Sequence, residues 1–314
     1  MVEQPRVTPD LPDSEMVAAF GHNLEFSRAM GPLTSFGTGG PARYFLSVSS
    51  IDELSRAVTT AKRLNVPLFI LGGGSNLLVS DDGYDGLVIR LEINGLKLVE
   101  PMTIEAGAGE QLSTLVDFAT EQSLTGLEFA AGIWGTVGGA VFGNAGAFGG
   151  EIGQVLTEAN LVDLAGRTRT VLTDYFNFEY RSSQLKTSGE ILATARFKLD
   201  EGNCTEIETR VQEILKGRAE RHPSERTAGS FFKNIPDSTQ PHGKMPAGRL
   251  LEEAGAGSLS VGGAKVYEKH ANIIVADERA TSKDIRLLAD MMKKKVFDRF
   301  GIELQEEIQQ LGSF

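Results

Sequence analysis

The sequence has a single cysteine, Cys204, and therefore no internal disulfide. Its four histidines stand far apart, none at a zinc-ligand spacing, so no metal site is expected. No run of 18 apolar residues occurs, which excludes a helical membrane span. The opening MVEQPRVTPDLPDSEM lacks the basic-then-apolar order of a secretion signal. Positive charge is in deficit as well. Lys and Arg number 31 against 42 Asp and Glu, and the net charge of -11 argues against general affinity for nucleic acid or anionic membrane. A local basic site for a small anion is compatible with that balance. These absences point to a soluble, cytoplasmic chain for which a monomer suffices, its oligomeric state being left open.

What is present is size and glycine. With 314 residues, 41% hydrophobic and 23% charged, the chain can bury a large core in about two domains. Glycine contributes 36 residues, more than the usual ~7%. Nine of them fall between Gly132 and Gly153, and three are consecutive at Gly72, Gly73 and Gly74. Such clustering without a repeat marks backbone that bends unusually or approaches something closely.

Residues 1–20 read as a poorly ordered tail. The spacing of Leu54, Ala57, Val58, Ala61 and Leu64 predicts a helix over 50–65, with Ser50 and Glu53 as a capping box. Strands are predicted at 68–71, 87–91 and 103–106, a helix over 110–122, and a hairpin over 158–172 turning at Ala165 and Gly166. Ile191, Ala193, Ala195, Phe197 and Leu199 alternate as one face of a strand. A helix from Thr205 leads into the basic, turn-rich GRAERHPSERTAGSFFKNIP; a short helix follows at PAGRLLEEAG, then a strand at 273–276 and a long helix over 282–300. The order implies α+β rather than a doubly wound sheet. A boundary near 203 would separate a region of two subdomains, split near 78, from a second domain over 204–314.

Two dinucleotide fingerprints fail on context. In Gly37-Thr38-Gly39-Gly40-Pro41-Ala42 the proline would sit inside the helix that the motif must open, and Gly107-Ala108-Gly109 has Leu112 where its third glycine belongs. LGGGSNLLV is more informative. Consecutive glycines can aim several N–H groups at one anion, and Ser75 and Asn76 add side-chain donors. AGIWGTVGGAVFGNAGAFGGEIG is too apolar for a linker and too glycine-rich for a plain helix or strand. Backbone passing beneath a large flat ligand would explain it, so the two loops together suit a bulky diphosphate cofactor. A glycine-filled packing of two elements is the competing explanation.

GGGSN, FAAGIWGTVGGAVFGNAGAFGGE, EYRSSQLK, AGSFFKN, VGGAKVYEKHANIIV and GIELQEEIQQLG occur in that order, and in them the chain resembles the UDP-N-acetylenolpyruvoylglucosamine reductase family, in its shorter type. The resemblance implies a flavin-binding domain of the vanillyl-alcohol-oxidase type, a C-terminal α+β substrate domain whose end returns to the active site, tightly bound FAD, and NADPH as hydride donor. The substrate would be UDP-N-acetylglucosamine-enolpyruvate, reduced to UDP-N-acetylmuramate for peptidoglycan. On this likeness the flavin would meet Gly72, Gly73, Gly74, Ser75, Asn76, Leu77, Gly132, Thr136, Val137, Gly138, Gly139, Asn144 and Ala145. Arg181 matches the residue at the substrate carboxylate, Ser230 the proton donor and Glu307 the essential acid, although LQEEI also offers Glu306. Tyr180, Lys233, Asn234 and His270 fall at substrate positions. Arg218, Arg221, Arg226 and Lys233 form a basic patch suited to a diphosphate, with Arg221 the residue chosen from it. Trp134 departs from the family, which has proline there. The rival readings are an alcohol or sugar oxidase of the same fold and a non-catalytic flavin or UDP-sugar binder.

Overall fold

The structure, a computed structural model, describes residues 11–239 and 243–314. Its eight helices over these residues are α1 (Leu11–Phe20), α2 (Ile51–Arg63), α3 (Leu112–Glu121), α4 (Val137–Phe142), α5 (Leu185–Ser188), α6 (Cys204–Arg221), α7 (Ala247–Glu253) and α8 (Ser282–Phe300). α2 starts where its cap lies: Ser50 Oγ accepts from Glu53 N, while the Glu53 carboxylate reaches back to Ser49. α8 is closed by a Thr281–Asp284 capping box and by Gly301 at φ +67°.

Two sheets build the first unit. Strand 41–48 lies between antiparallel 25–29 and parallel 84–91, and 68–71 completes that sheet beside 84–91. The second is antiparallel throughout, in the order 168–172, 156–162, 191–198, 103–107, 96–100. Strand 84–91 belongs to the first sheet and 96–100 to the second, so the division between subdomains falls at 92–95 rather than near 78. Apolar faces of both sheets share one core with α2 and α3.

Two further expectations are corrected. Residues 11–20 form α1 instead of a tail, because Met16 and Phe20 bury against that core; residues 1–10 lie outside the described residues. α6 begins at the expected boundary but packs backward, its buried Ile207 and Val211 joining the first core. By packing, the second unit starts after His222, and the basic stretch is still helical through Arg221.

That second unit has a small antiparallel sheet of 260–261, 264–267 and 270–276, covered by α7 and α8. Phe36 and Leu78 of the first unit are buried in its core. The seam is stitched further by strand 309–311, which pairs in parallel with 77–79, and by Asp81, whose carboxylate accepts from Ser282 N and Lys283 N at 2.9 Å each. The C-terminal segment is thereby drawn back to the exit of the glycine loop.

Candidate active site

Strand 68–71 ends in the loop 72–76, and this loop abuts the backbone of 134–136. A Cβ on Gly73 would lie 2.9 Å from Gly135 Cα, and one on Gly74 would lie 1.9 Å from Leu33 O. Gly74 also has φ +63°, which disfavours side-chain-bearing residues. Ser75 Oγ donates to Trp134 O at 2.7 Å. The amides of Gly73, Gly74, Ser75 and Asn76 make no hydrogen bond to another described residue, so they remain available to an anion. Trp134 and Phe148, 64% and 60% exposed, stand on the adjoining glycine-rich stretch. Bare backbone with free donors beside exposed aromatic surface fits a flavin dinucleotide.

The other expected cofactor residues divide. Thr136 caps α4 by accepting from Gly139 N at 3.3 Å, and Gly139 is exposed. Val137 and Gly138 spend their amides on Glu110 O and Ala108 O, Ala145 donates to Ala140 O, and Leu77 is buried in its strand. A Cβ on Gly132 would meet the Arg218 side chain at 2.7 Å. The Asn144 side chain is occupied internally: Nδ2 donates to Glu179 O and Oδ1 accepts from Gly153 N.

Arg181 lies in a tight turn, with Glu179 and Ser182 exchanging both backbone hydrogen bonds, and adopts φ +56°. Left-handed backbone in arginine is uncommon and is tolerated where neighbours enforce it. Its Nη1 donates to Gly146 O at 3.0 Å, and its Nε stands 2.7 Å from Glu307 Oε1. The Nε–H is not aligned on that oxygen, so this is an ion pair rather than a formed hydrogen bond. Burial pushes the Glu307 carboxyl above the usual carboxylate range; Arg181, Lys186 and Lys233 oppose the shift without cancelling it. Glu306 points elsewhere. It pairs with Arg286 at 2.8 Å and Lys293 at 3.3 Å on α8, and these cations hold its pKa down against burial. Of the two carboxylates only Glu307 stands with Arg181.

Ser230 enters through backbone pairing. Glu307 N donates to Phe231 O at 2.9 Å, and Lys233 N donates to Gln305 O at 2.8 Å, which lays 231–233 alongside 305–307. On the opposite side, Asn76 Nδ2 donates to Glu307 O at 3.1 Å and Gln309 N donates to Asn76 O at 3.1 Å. Glycine loop, Ser230 segment and Glu307 are thus fixed to one another.

Tyr180 OH accepts from Asn234 N at 3.5 Å, and the Lys244 ammonium sits 3.5 Å from the Tyr180 ring centroid. Asn234 Oδ1 accepts from Ala247 N at the start of α7. Arg221 is exposed at the end of α6. Arg218 is the member of the basic patch turned inward: its Nε is buried without a partner among the described residues, and its guanidinium lies near Arg181 and over Phe148. His270 lies against Gly248 of α7, and its Nδ1 accepts from Asn272 N at 3.2 Å. Sequence reading omitted Lys186 and Lys244. Lys186 donates to Arg181 O at 2.7 Å and could have been noticed as the last residue of EYRSSQLK, whereas Lys244 lies in no motif.

Comparisons with known proteins cover both parts of the chain. A family model described as an FAD binding domain matches residues 42–172, and one described as UDP-N-acetylenolpyruvoylglucosamine reductase, C-terminal domain, matches 221–311. The chain is 37% identical over 285 residues to a UDP-N-acetylenolpyruvoylglucosamine reductase of Lachnoclostridium phytofermentans, covering 89% of this chain and 90% of that protein. A Lactiplantibacillus plantarum protein of the same name is 38% identical over 296 residues, covering 92% and 94%. The crystal structure of UDP-N-acetylenolpyruvylglucosamine reductase from Thermus caldophilus superposes with a TM-score of 0.77 at 34% identity, covering 92% of this chain and 98% of that one.

Proposed function

The chain belongs to the UDP-N-acetylenolpyruvoylglucosamine reductase family, and on that premise we propose how its own residues carry out the family's reaction. The reaction is reduction of UDP-N-acetylglucosamine-enolpyruvate to UDP-N-acetylmuramate at the expense of NADPH, a step of peptidoglycan precursor synthesis, and we place it in the cytoplasm. FAD, when bound, supplies the two-electron chemistry, a hydride accepted from NADPH and delivered to the enolpyruvyl methylene carbon. The free amides of 73–76 would hold its diphosphate, and the backbone of 132–139 with the exposed Trp134 its ring system.

Arg181 receives the substrate carboxylate. Negative charge moves toward that carboxylate as hydride arrives, and a guanidinium already fixed by Gly146 O meets it without reorganising. Ser230 donates the proton at the adjacent carbon. A hydroxyl is a weak acid, and the ammonium of Lys233, which acts on the neighbouring Glu307, would favour the alkoxide left behind. Glu307, whose proton burial helps retain, hydrogen-bonds the enolic oxygen as charge develops there. Arg218 rather than Arg221 takes the anion-binding role of the basic patch, because a buried orphaned N–H calls for an acceptor. Tyr180 and Asn234 line the same opening, and His270 serves as a packing residue behind Asn272.

The observation that carries this reading is the 2.7 Å Arg181–Glu307 pair laid against the Ser230 segment at the glycine loops. The test is anaerobic. NADPH should bleach the flavin absorption, and UDP-N-acetylglucosamine-enolpyruvate should restore it with formation of UDP-N-acetylmuramate. Recovery with oxygen alone would reject the substrate.

A further inference from the structure

Two asparagines are almost completely buried, Asn272 at 2% and Asn144 at 1% exposure, and neither side-chain amide faces the cleft. Asn272 lies on strand 270–276, where Oδ1 accepts from Phe232 N at 2.9 Å and Nδ2 donates to Phe232 O at 2.8 Å. Its own carbonyl accepts from Phe231 N at 2.8 Å. The segment 231–233 therefore has two occupied edges. Phe231 O and Lys233 N face 305–307, while Phe232 N and O face the Asn272 amide, which substitutes for a missing strand neighbour. Ser230 and Lys233 flank this doubly held peptide.

Asn144 does the corresponding job for the arginine. Its Nδ2 donates to Glu179 O at 3.1 Å, and its Oδ1 accepts from Gly153 N at 3.0 Å. Glu179 opens the turn in which Arg181 takes its left-handed conformation. Without an outside anchor such a turn would relax toward commoner backbone angles and carry the guanidinium with it.

We propose that Asn272 and Asn144 are positioning residues for the substrate-reducing half of the reaction, Asn272 registering Ser230 against Glu307 and Asn144 presenting Arg181. The inference rests on the roles given above to Ser230 and Arg181. Neither asparagine touches the reacting atoms, and flavin reduction by NADPH requires neither the proton donor nor the carboxylate clamp. Displacing a reacting group by about an ångström can cost on the order of 100-fold.

The test uses the full-length FAD-loaded protein in anaerobic stopped flow, with Asn272→Ala, Asn272→Ser and Asn144→Ala beside Ser230→Ala. Serine at 272 keeps a group able to bond one Phe232 atom, should alanine not retain flavin. Bleaching by NADPH should stay within about twofold of wild type, while reoxidation by substrate slows on the order of 10- to 100-fold. At 272 the solvent deuterium isotope effect on reoxidation should grow as proton delivery becomes the slow step. At 144 the loss should fall on both substrate KM and the limiting rate of reoxidation, without the enlarged isotope effect. Equal slowing of both half-reactions with a lowered Tm means a merely structural role and overturns the proposal. So does wild-type reoxidation in the asparagine variants while Ser230→Ala is blocked, which leaves the Ser230 reading intact. Wild-type reoxidation in Ser230→Ala removes that reading instead.

Discussion

Arg181 now holds Glu307 at 2.7 Å, yet the same guanidinium is the group proposed to receive the substrate carboxylate. Binding therefore exchanges one carboxylate for another, and the carboxyl that is displaced gains a negative neighbour. Unit charges ~4 Å apart at an effective dielectric near 20 interact by about 4 kcal/mol. Both side chains retain some exposure, 27% and 19%, so screening reduces what the exchange is worth to roughly 1–3 kcal/mol. That is a rise of about 5- to 150-fold in the proton affinity of Glu307 on binding. Its carboxyl already titrates above the usual range through burial, with Tyr180, Lys186 and Lys233 also facing it. The sign follows from linkage. Binding favours the protonated acid, so a proton is taken up and affinity falls as pH rises through the titration of Glu307. Calorimetry of substrate binding to the oxidised enzyme, in buffers of different ionisation enthalpy, should give an apparent enthalpy that varies with the buffer. The slope should not exceed about one proton, and Glu307→Gln should abolish it. A wild-type enthalpy that does not vary with the buffer at any pH where the enzyme is folded would refute the exchange. An unchanged slope in Glu307→Gln would assign the proton to another group.

Glu306→Gln should leave that proton uptake untouched but cost about 1–2 kcal/mol, a Tm decrease of roughly 2–8 °C, by removing the negative charge that Arg286 and Lys293 pair with. Because the folded pKa of Glu306 is depressed, its contribution is complete above the unfolded glutamate value near ~4.3 and is lost as pH falls through the folded one. Melting curves of variant and wild type should accordingly converge in acid. Gly74→Ala places a Cβ 1.9 Å from Leu33 O at φ +63°, so the purified protein should carry well under one FAD per chain; full stoichiometry would show that the loop relaxes freely. Asp81→Ala removes the acceptor for two α8 amides and should cost about 1–2 kcal/mol, read as faster hydrogen exchange at 282–285. Unchanged exchange there would mean that Thr281 caps the helix unaided.

Local elements were legible because their signals are local. The apolar period of Ile285, Leu288, Ala289, Met292 and Val296 is enough to find α8, and all five are buried. The alternation from Ile191 to Leu199 is likewise enough for its strand. Which core an amphipathic helix joins is not written in its period, and α6, facing the first unit, displaced the domain boundary for that reason. The parallel pairing of 77–79 with 309–311 spans more than two hundred residues and leaves no local trace, although it brings Glu307 to the glycine loop. Motif matching singled out Arg181, Ser230 and Glu307, but not the left-handed turn of the arginine, since arginine has no preference for that conformation. Arg218 and Arg221 both read as basic residues near a helix end. Only packing shows which of them faces inward.

The two units meet along seams of unequal strength, and this decides where a substrate enters. Along one seam lie the ladder of 77–79 with 309–311, the Asp81 cap on α8, a Thr38–Ser282 hydroxyl pair that is buried, and the Asn76–Glu307 bond. Opening it would break several hydrogen bonds, the Thr38–Ser282 pair among them buried, at about 1 kcal/mol apiece, and would move the acid away from the glycine loop. At the other seam, beside the Arg181–Glu307 pair that substrate itself exchanges, lie the long Asn234–Tyr180 hydrogen bond and the Lys244 ammonium on the Tyr180 ring, a contact worth about 0.5–1 kcal/mol at an exposed site. The weaker seam is also the one lined by Tyr180 and Lys244, and the charge of that lysine suits a substrate carrying a diphosphate. Entry there leaves the backbone pairing of 231–233 with 305–307 undisturbed. Hydrogen exchange should then be faster in the pair 235–236 with 244–245 than in 309–311, and substrate should slow the former selectively. Equal protection of the two before substrate is added would place the entrance elsewhere.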